Sequence, residues 1–466
     1  MDPLHSPLLT DLYQLTMLHT YYRQRMEATA VFELFVRKLP EQRNFMVAAG
    51  LEQALDFLEQ AHFGPEELEW VARSGLFTTE FGKHLEQWRF SGDVHAMPEG
   101  TIFFPNEPIL RVTAPMPEAQ LIESRLINLV HFGSLVATKA ARSVLVARGK
   151  KLVDFGLRRA HGAEAGLLAA RAAYLAGYDS TATVLAGSRF GIPVVGTMAH
   201  SFVQAHDDEA QAFVDFARAF PKGTIFLVDT YDTEAGVQKV ASLAPQLERE
   251  GITVQGVRLD SGDFSELARR ARRILDEAGL RQAVVFASGN MDEYQVRELL
   301  EAGAPIDGFG VGTSLVTSAD APYLDAVYKL QEYAGRPRRK RSTAKETWPG
   351  RKQVFRVSDQ SGVFDHDVVT LEGDARAGDP LLIPVMRGGK RLDAPEPLER
   401  IRARALAGLK RLPRGLAELE AAAEPYRVDI APALRRLAEE VDRATAGPRE
   451  NTTQDSKQVL AADKRR

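Results

Sequence analysis

The segment GIPVVGTMAHSFV (residues 191–203) is an apolar run that closes on Gly196, Thr197 and His200 just before an amphipathic stretch begins. That texture reads as a strand handing its polar tip to a helix. The first amides of a helix have no partner inside it and carry the positive end of its dipole, so a histidine at this junction can meet anions. A lone histidine there more often caps or packs, and what argues for chemistry at His200 is its company. Two further turns, SGN (288–290) and GVGTS (310–314), set glycines beside hydroxyls, so that backbone amides can approach an anion unobstructed. Taken singly, each is a tight turn. Arg158 and Arg159 follow another strand, and Arg258 lies two residues before Asp260. Guanidinium groups supply the planar, permanently charged donors that phosphate oxygens accept. Asp229, Asp232, Asp260 and Asp263 also fall at strand tips, where carboxylates beside arginines suit a magnesium polyphosphate better than a bare transition metal. There is no GxxxxGK[ST], HExxH or GxSxG, so nothing points to a P-loop, a zinc protease or a serine hydrolase.

The elements that must position these groups begin at Lys151. Seven short apolar runs with polar or glycine tips alternate with helical segments: KLVDFGLRR, STATV, PVVGTMAH, TIFLVDTYD, VQGVRLDSGD, AVVFASGN and DGFGVGTS. Such alternation predicts βα units and a parallel sheet. The helices are well formed; in FSELARRARRIL, Phe264, Leu267, Ala268, Ala271, Ile274 and Leu275 make one stripe, with Asp263 and Glu266 placed like a capping box. A barrel accounts for the repeat better than an open sheet, and in a barrel the C-terminal strand tips converge on one face.

Before the barrel, TDLYQLTMLHTYY reads as a helix whose apolar stripe omits Tyr13, with Thr10 or Asp11 to cap it. ATAVFELFVRKLP (28–40) alternates like a half-buried strand, 47–60 is helical, and GDVHAMPEGTIFFPNEPILRVTA (92–114) is a run of short strands. Residues 117–149 return to helical periodicity and bridge to the barrel. After Leu330 comes RPRRKR (336–341), a charge run that by default is a solvated loop. Short strands over 363–400 and helical stripes over 400–445 follow, and the polar tail from Gly447 reads as disordered.

With 466 residues and 44% hydrophobic content, the chain can fill one large core and a smaller one. The absence of cysteine removes disulfides, thiolate zinc sites and cysteine nucleophiles, and suits a reducing compartment. A formal charge of −4 predicts no nucleic-acid coat. The N-terminus lacks a basic flank with a long apolar region, and no uninterrupted apolar run is long enough to span a bilayer. The expectation is a soluble, cytoplasmic protein with no nucleic-acid and no membrane partner.

TDLYQLTM, the stretch from DFGLRRAHGAEAGLLAARAAYLAGYDSTATVLAG through FGIPVVGTMAHSF, and then RLDSGD, FASGN, FGVGTSLVTS and PGRKQVFR, taken together, resemble nicotinate phosphoribosyltransferase. The likeness covers roughly residues 7–360 with the motifs in the family's order, specific as a set although each is weak alone. It implies an enzyme joining nicotinate to phosphoribosyl pyrophosphate, with ATP and magnesium, on the nicotinate route to NAD. The implied fold is an irregular α/β barrel of about seven strands with an N-terminal α/β domain and a helical C-terminal extension. The corresponding bounds are 1–130 for the N-terminal domain, 131–335 for the barrel, 336–445 for the return and extension, and 446–466 for the tail. A homodimer with shared active sites is also implied.

By position, the resemblance makes His200 the residue phosphorylated by ATP, and puts Arg258 and Asp260 on the ribose and phosphates of the sugar donor. Gly289, with Ser288 and Asn290, and Gly312 and Thr313, with Gly310, fall in the turns for its 5-phosphate. Phe155 is one wall of the pyridine slot, and Tyr13 the other, delivered by a second subunit. Arg158 and Arg159 are partners for the nicotinate carboxylate or the phosphates, with the division between them open. Asp260 and Asp263 are the candidate magnesium ligands. The nicotinamide-using relative places an aspartate near the pyridine substituent where this chain has STAT; Ser180, Thr181 or Thr183 could accept a carboxylate there, which favours the acid. The remaining readings are a nicotinamide or quinolinate phosphoribosyltransferase, and a non-catalytic barrel binding nucleic acid or protein through residues 336–341.

Overall fold

The computed structural model describes residues 3–343 and 345–445; the tail expected to be disordered lies outside them. Six of the seven apolar runs form one parallel sheet. Its order is Ser180–Thr181, Lys151–Asp154, Gly308–Val311, Val284–Ser288, Gly256–Leu259, Ile225–Leu227. The third run, PVVGTMAH, contributes only a parallel bridge from Val194 to Thr181. In cyclic order each strand neighbours its sequence neighbour, and the last returns to the first through Val311 beside Asp154. What is missing is a ladder between the Val194 segment and Ile225–Leu227, so the expected barrel is a curled sheet with one open seam. The reason lies in PVVG: Val194 and Val195 are 45% and 42% exposed, and no strand covers them.

Register sets the tips level. Asp154 stands beside Thr181, Ser288 beside Gly310 and Ala287 beside Leu259. The helices after the strands begin on aspartates: Asp232 accepts from the Ala235 amide, Asp263 from Ser265 and Glu266, and Asp292 from Tyr294 and Gln295. Each satisfies amides that the helix cannot satisfy itself, worth about 1 kcal/mol apiece. The capping box expected at Asp263 is one-sided, because the Glu266 carboxylate turns to Arg270 instead.

The first domain holds a seven-stranded antiparallel sheet in the order 336–337, 326–333, 29–36, 110–115, 93–96, 383–387, 390–391. Two expectations are corrected here. Strand Thr29–Val36 sits between Ala326–Tyr333 and Leu110–Pro115 and is buried on both faces beyond its first residue, so its alternation marks no solvent face. The return from the barrel begins at Ala326, because that strand pairs with Thr29–Val36, and not at 336. The C-terminal part is likewise less helical than expected. Strands Lys352–Ser358 and Phe364–Leu371 form a four-stranded sheet with 379–380 and Val428–Ile430; helix Pro432–Thr445 packs on it, while helix Leu398–Lys410 packs on helix Ala163–Leu175.

Helix Glu123–Val146 belongs to both halves. Leu126, Leu129 and Leu135 lie in the first-domain core, while Val136, Ala137, Ala140 and Ala141 lie in the barrel core. It is long and apolar enough to cross a bilayer, yet it is mostly buried in protein. Its charged residues have partners: Lys139 reaches Glu293 at 2.7 Å and Asp320 at 2.8 Å, and Arg142 reaches Glu293 at 2.9 Å. Arg43 closes the cluster on Asp320 at 2.6 Å. Burial would raise the Asp320 carboxyl, but Arg43 and Lys139 outweigh it and hold it far below the usual range. Glu293 follows the SGN turn and Asp320 follows GVGTS, so this cluster ties both glycine turns to the first domain.

A second buried group joins the C-terminal sheet to the first domain. Arg356 grips Asp367, with Nε 2.9 Å from Oδ1, and the Tyr426 hydroxyl donates to the same oxygen at 3.0 Å. Glu107, fully buried nearby, accepts the Phe104 amide at 2.9 Å. Burial and the adjacent Asp367 carboxylate push the Glu107 carboxyl well above its ordinary value, so it keeps its proton.

Candidate functional site

Arg258 is the last residue but one of its strand, Gly256–Leu259. Its Nη1 donates to Thr197 Oγ1 at 2.7 Å, and Nη2 lies 4.0 Å from Asp260 Oδ1. Nε is buried without a partner. Burial lowers the pKa, Asp260 and Asp229 oppose it, and Arg158 adds to the lowering, which sets a second guanidinium within electrostatic reach. Arginine stays charged through such a shift, so this is a cation short of water and of counter-charge, a state that a polyphosphate relieves.

His200 opens the helix His200–Gln204. Its Nδ1 is 3.1 Å from Thr230 Oγ1, and its Nε2 is 3.9 Å from Asp260 Oδ2. Asp260 therefore has His200 and Arg258 within 4.0 Å of one carboxylate, and the hydroxyl of Ser288 donates to that carboxylate as well. Asp229 fixes the loop: its Oδ2 accepts the Asp260 amide at 2.9 Å and the Ser261 hydroxyl at 2.7 Å, while Oδ1 is buried and unpartnered. The four tip aspartates thus divide. Asp229 and Asp260 face the site, whereas Asp232 and Asp263 cap helices. Asp263, the second candidate magnesium ligand, has its Oδ1 taken by two amides.

The glycine turns are built for close approach. Gly289 has φ +101°, and a Cβ there would stand 2.1 Å from the Asp260 carbonyl oxygen. Asn290 follows at φ +51° and is exposed, and Gly312 and Thr313 lead into the helix after the last strand. Gly310 is a strand residue, not part of the amide turn as expected. A Cβ on it would meet the Phe155 ring at 2.5 Å, so it acts by making room for that ring.

Phe155 stands 6.0 Å, centroid to centroid, from Phe286 and lines a cavity of about 350 Å³ inside the barrel with Ser180, Thr197 and Arg258. Its backbone is set by Asp154, which the sequence reading did not single out. Asp154 Oδ1 accepts the Gly156 amide at 2.8 Å and Oδ2 the Thr181 hydroxyl at 2.7 Å; burial raises its pKa, and these two donors pull against that. Thr181 is thereby committed to Asp154. Thr183 is 2% exposed, with its amide donating to the Thr181 hydroxyl at 3.0 Å, and Ser180 is the hydroxyl of STAT that lines the cavity. Arg158 and Arg159 are exposed at the rim and carry no ion pair among the described residues. A larger cavity, about 490 Å³, lies between the first domain and the barrel helices. Two of its three arginines are paired, Arg125 with Glu164 and Arg171 with Glu99, the third, Arg189, lies over the Phe190 ring, and no strand tip lines it, so the candidate site is the barrel mouth.

Tyr13 lies on the N-terminal helix, 47% exposed. Partial burial raises its hydroxyl, followed by the charges of Glu123 and Asp11, all first-domain groups. Among the described residues, no group of three or more His, Cys, Asp or Glu side chains gathers in metal-binding array. The basic run is not a free patch: Arg339 pairs with Asp442 at 3.2 Å and lies over Trp348, and Arg341 is 3.8 Å from Asp442. Thr230 and Asp229 organise the mouth. The signal that could have found Thr230 is a hydroxyl between two aspartates at a strand tip.

Residues 8–131 match a family model described as the nicotinate phosphoribosyltransferase N-terminal domain, and residues 150–344 match the model of the nicotinate phosphoribosyltransferase family. A nicotinate phosphoribosyltransferase of Mycobacterium tuberculosis is 49% identical over 424 residues, covering 91% of each chain. One from Bacillus subtilis is 44% identical over 362 residues, 76% of this chain and 74% of its own. The crystal structure of human nicotinic acid phosphoribosyltransferase superposes with a TM-score of 0.84 at 30% identity, over 93% of this chain and 99% of that one. Nicotinate-nucleotide pyrophosphorylase from Pyrococcus furiosus superposes at 0.72 with 25% identity, over 88% and 96%.

Proposed function

The chain belongs to the nicotinate phosphoribosyltransferase family and is an enzyme of that class, and we propose that it couples nicotinate mononucleotide formation to ATP hydrolysis through a phosphohistidine at His200. Nicotinate and phosphoribosyl pyrophosphate are the substrates, and mononucleotide and pyrophosphate the products. The observation that carries this reading is the approach of His200 and Arg258 to one carboxylate, that of Asp260.

Displacement at the anomeric carbon forms a carbon–nitrogen bond to the pyridine as the bond to the pyrophosphate oxygen breaks, and positive charge builds on the sugar. Arg258, with Arg158 or Arg159, holds the departing oxygens, while the SGN and GVGTS turns hold the 5-phosphate. Phe155 supplies one face for the flat ring, and Ser180 and a rim arginine meet its carboxylate. The donors fit magnesium brought in with the polyphosphate: Asp260 Oδ2 accepts no hydrogen bond, and Asp229 Oδ1 has no partner. Bound there, the ion would neutralise charge on the leaving pyrophosphate.

The second wall of the ring slot is Tyr13 of another copy in a homodimer. Two exposed apolar surfaces support this. One is Val184, Leu185, Val194 and Val195 beside the seam; the other is Leu9, Leu12 and Tyr13. The cysteine-free chain suits the cytoplasm, where these substrates are made.

The test is mononucleotide formation by purified protein with magnesium, donor and ATP, offering nicotinate, nicotinamide and quinolinate in competition. Nicotinate should win, ATP should stimulate, His200→Ala should abolish the stimulation, and no carbon dioxide should be released. No product from nicotinate, or a His200→Ala enzyme that ATP still stimulates, would overturn the reading.

A further inference from the structure

An imidazole can attack phosphorus only through a nitrogen that lacks a proton, so something must decide which of the two nitrogens of His200 that is. The surroundings of the ring are unequal. Nδ1 is 3.1 Å from Thr230 Oγ1, within hydrogen-bond reach. Nε2 faces the mouth, where the nearest acidic atom, Asp260 Oδ2, is 3.9 Å away, too far to accept a hydrogen bond.

Thr230 is itself held. One residue before it, Asp229 is bonded to the Asp260 amide and the Ser261 hydroxyl; two residues after it, Asp232 caps the helix Thr233–Arg249. The hydroxyl therefore sits on a short segment fixed at both ends, with little freedom to follow the imidazole elsewhere.

We infer that Thr230 is a positioning residue whose Oγ1 accepts a hydrogen bond from Nδ1–H of His200 and so presents unprotonated Nε2 to the incoming phosphoryl group, an inference resting on the phosphohistidine reading above. In the step, the Nε2 lone pair forms the bond to the γ-phosphorus of ATP, and the bond from that phosphorus to the β,γ-bridging oxygen breaks to release ADP. The Nδ1 proton stays in place. The ring becomes a phosphorylated imidazolium whose positive charge strengthens the bond from Nδ1–H to Thr230. Because the acceptor is a neutral hydroxyl and not a carboxylate, that charge is only partly offset, and the phosphoryl group stays reactive toward water.

Two measurements test this. The first is nitrogen NMR of the full chain carrying ¹⁵N-histidine, with His200→Ala to assign the resonance. Wild type should show the Nδ1–H form, Thr230→Val should shift toward Nε2–H, and Thr230→Ser should restore the wild-type form. The second is acid-labile, base-stable labelling from γ-³²P ATP. Thr230→Val should label about tenfold or more slowly, the scale of one hydrogen bond to a charged group. Thr230→Ser should recover the rate, and Thr230→Asp should lengthen the life of the phosphorylated form. An Nε2–H form in wild type, or Thr230→Val labelling at the wild-type rate, overturns the inference. Absence of label in wild type overturns the phosphohistidine reading instead, and the NMR result then decides the tautomer by itself.

Discussion

Replacing Glu107 by glutamine should stabilise the protein, and by an amount that grows with pH. In the folded chain Glu107 is fully buried, with Asp367 beside it. Asp367 is held by Arg356 and Tyr426, and burial beside it pushes the Glu107 carboxyl well above its ordinary value, which assigns the proton to Glu107. In the unfolded chain a glutamate ionises near pH 4.3. Above that value the folded state binds one more proton than the unfolded state, so stability falls as pH rises until the raised folded pKa is reached. The slope for one proton is about 1.4 kcal/mol per pH unit. Glutamine keeps the shape, its carbonyl can accept the Phe104 amide as Glu107 Oε2 does at 2.9 Å, and it has no proton to lose. Between pH 5 and pH 7 the variant should therefore gain stability relative to wild type, up to the one-proton ceiling of about 2 to 3 kcal/mol. Urea unfolding of both proteins at pH 5, 6 and 7 and constant ionic strength measures it, with the titration of every other group cancelling in the difference. A difference that stays flat across this range, or one that shrinks as pH rises, would refute the assignment of the proton to Glu107.

Arg258→Ala should lower kcat about 100- to 1000-fold, the usual cost of removing one preorganised charge at a transition state; Arg258→Lys should fall between, and an alanine enzyme within threefold of wild type would deny Arg258 its role. Gly289→Ala forces a side chain into φ +101° and against the Asp260 carbonyl, so KM for the sugar donor should rise about tenfold or more while helix content by circular dichroism is unchanged. Mixing Tyr13→Ala and His200→Ala chains, with subunit exchange, should restore ATP-stimulated turnover at about a quarter of the wild-type sites, because half the dimers are hybrids with one intact mouth; no recovery with exchange demonstrated would mean that Tyr13 serves its own chain.

The barrel was legible because each of its strands is a short apolar run ending in a polar tip, and such runs are punctuated by the helices between them. The seam was not, since PVV is as apolar as a paired strand and only its exposure distinguishes it. The burial of Thr29–Val36 on both faces was hidden because its second neighbour, Ala326–Tyr333, comes from some 290 residues along the chain, and periodicity reports local exposure only. The candidate substrate-facing residues stood out as histidine, arginine and glycine at tips. Those holding them did not. Asp154 reads as one more polar tip in KLVDFG, and the roles of Asp229 and Asp263, alike in sequence, separate only when one is seen to hold a neighbouring loop and the other a helix.

The antiparallel sheet around Thr29–Val36 is finished by Ala326–Tyr333 and 336–337 on one side and by Ile383–Arg387 and 390–391 on the other. A ribosome delivers those four segments long after it has delivered the three early strands of that sheet. The nascent first domain must therefore wait with four strand positions vacant while the parallel sheet is translated, and it can close only after residue 391 has emerged. Truncation near residue 325 would thus leave a polypeptide that still holds the substrate-facing loops yet has an open sheet edge where its scaffold should be, a template for aggregation more than an independent catalytic fragment.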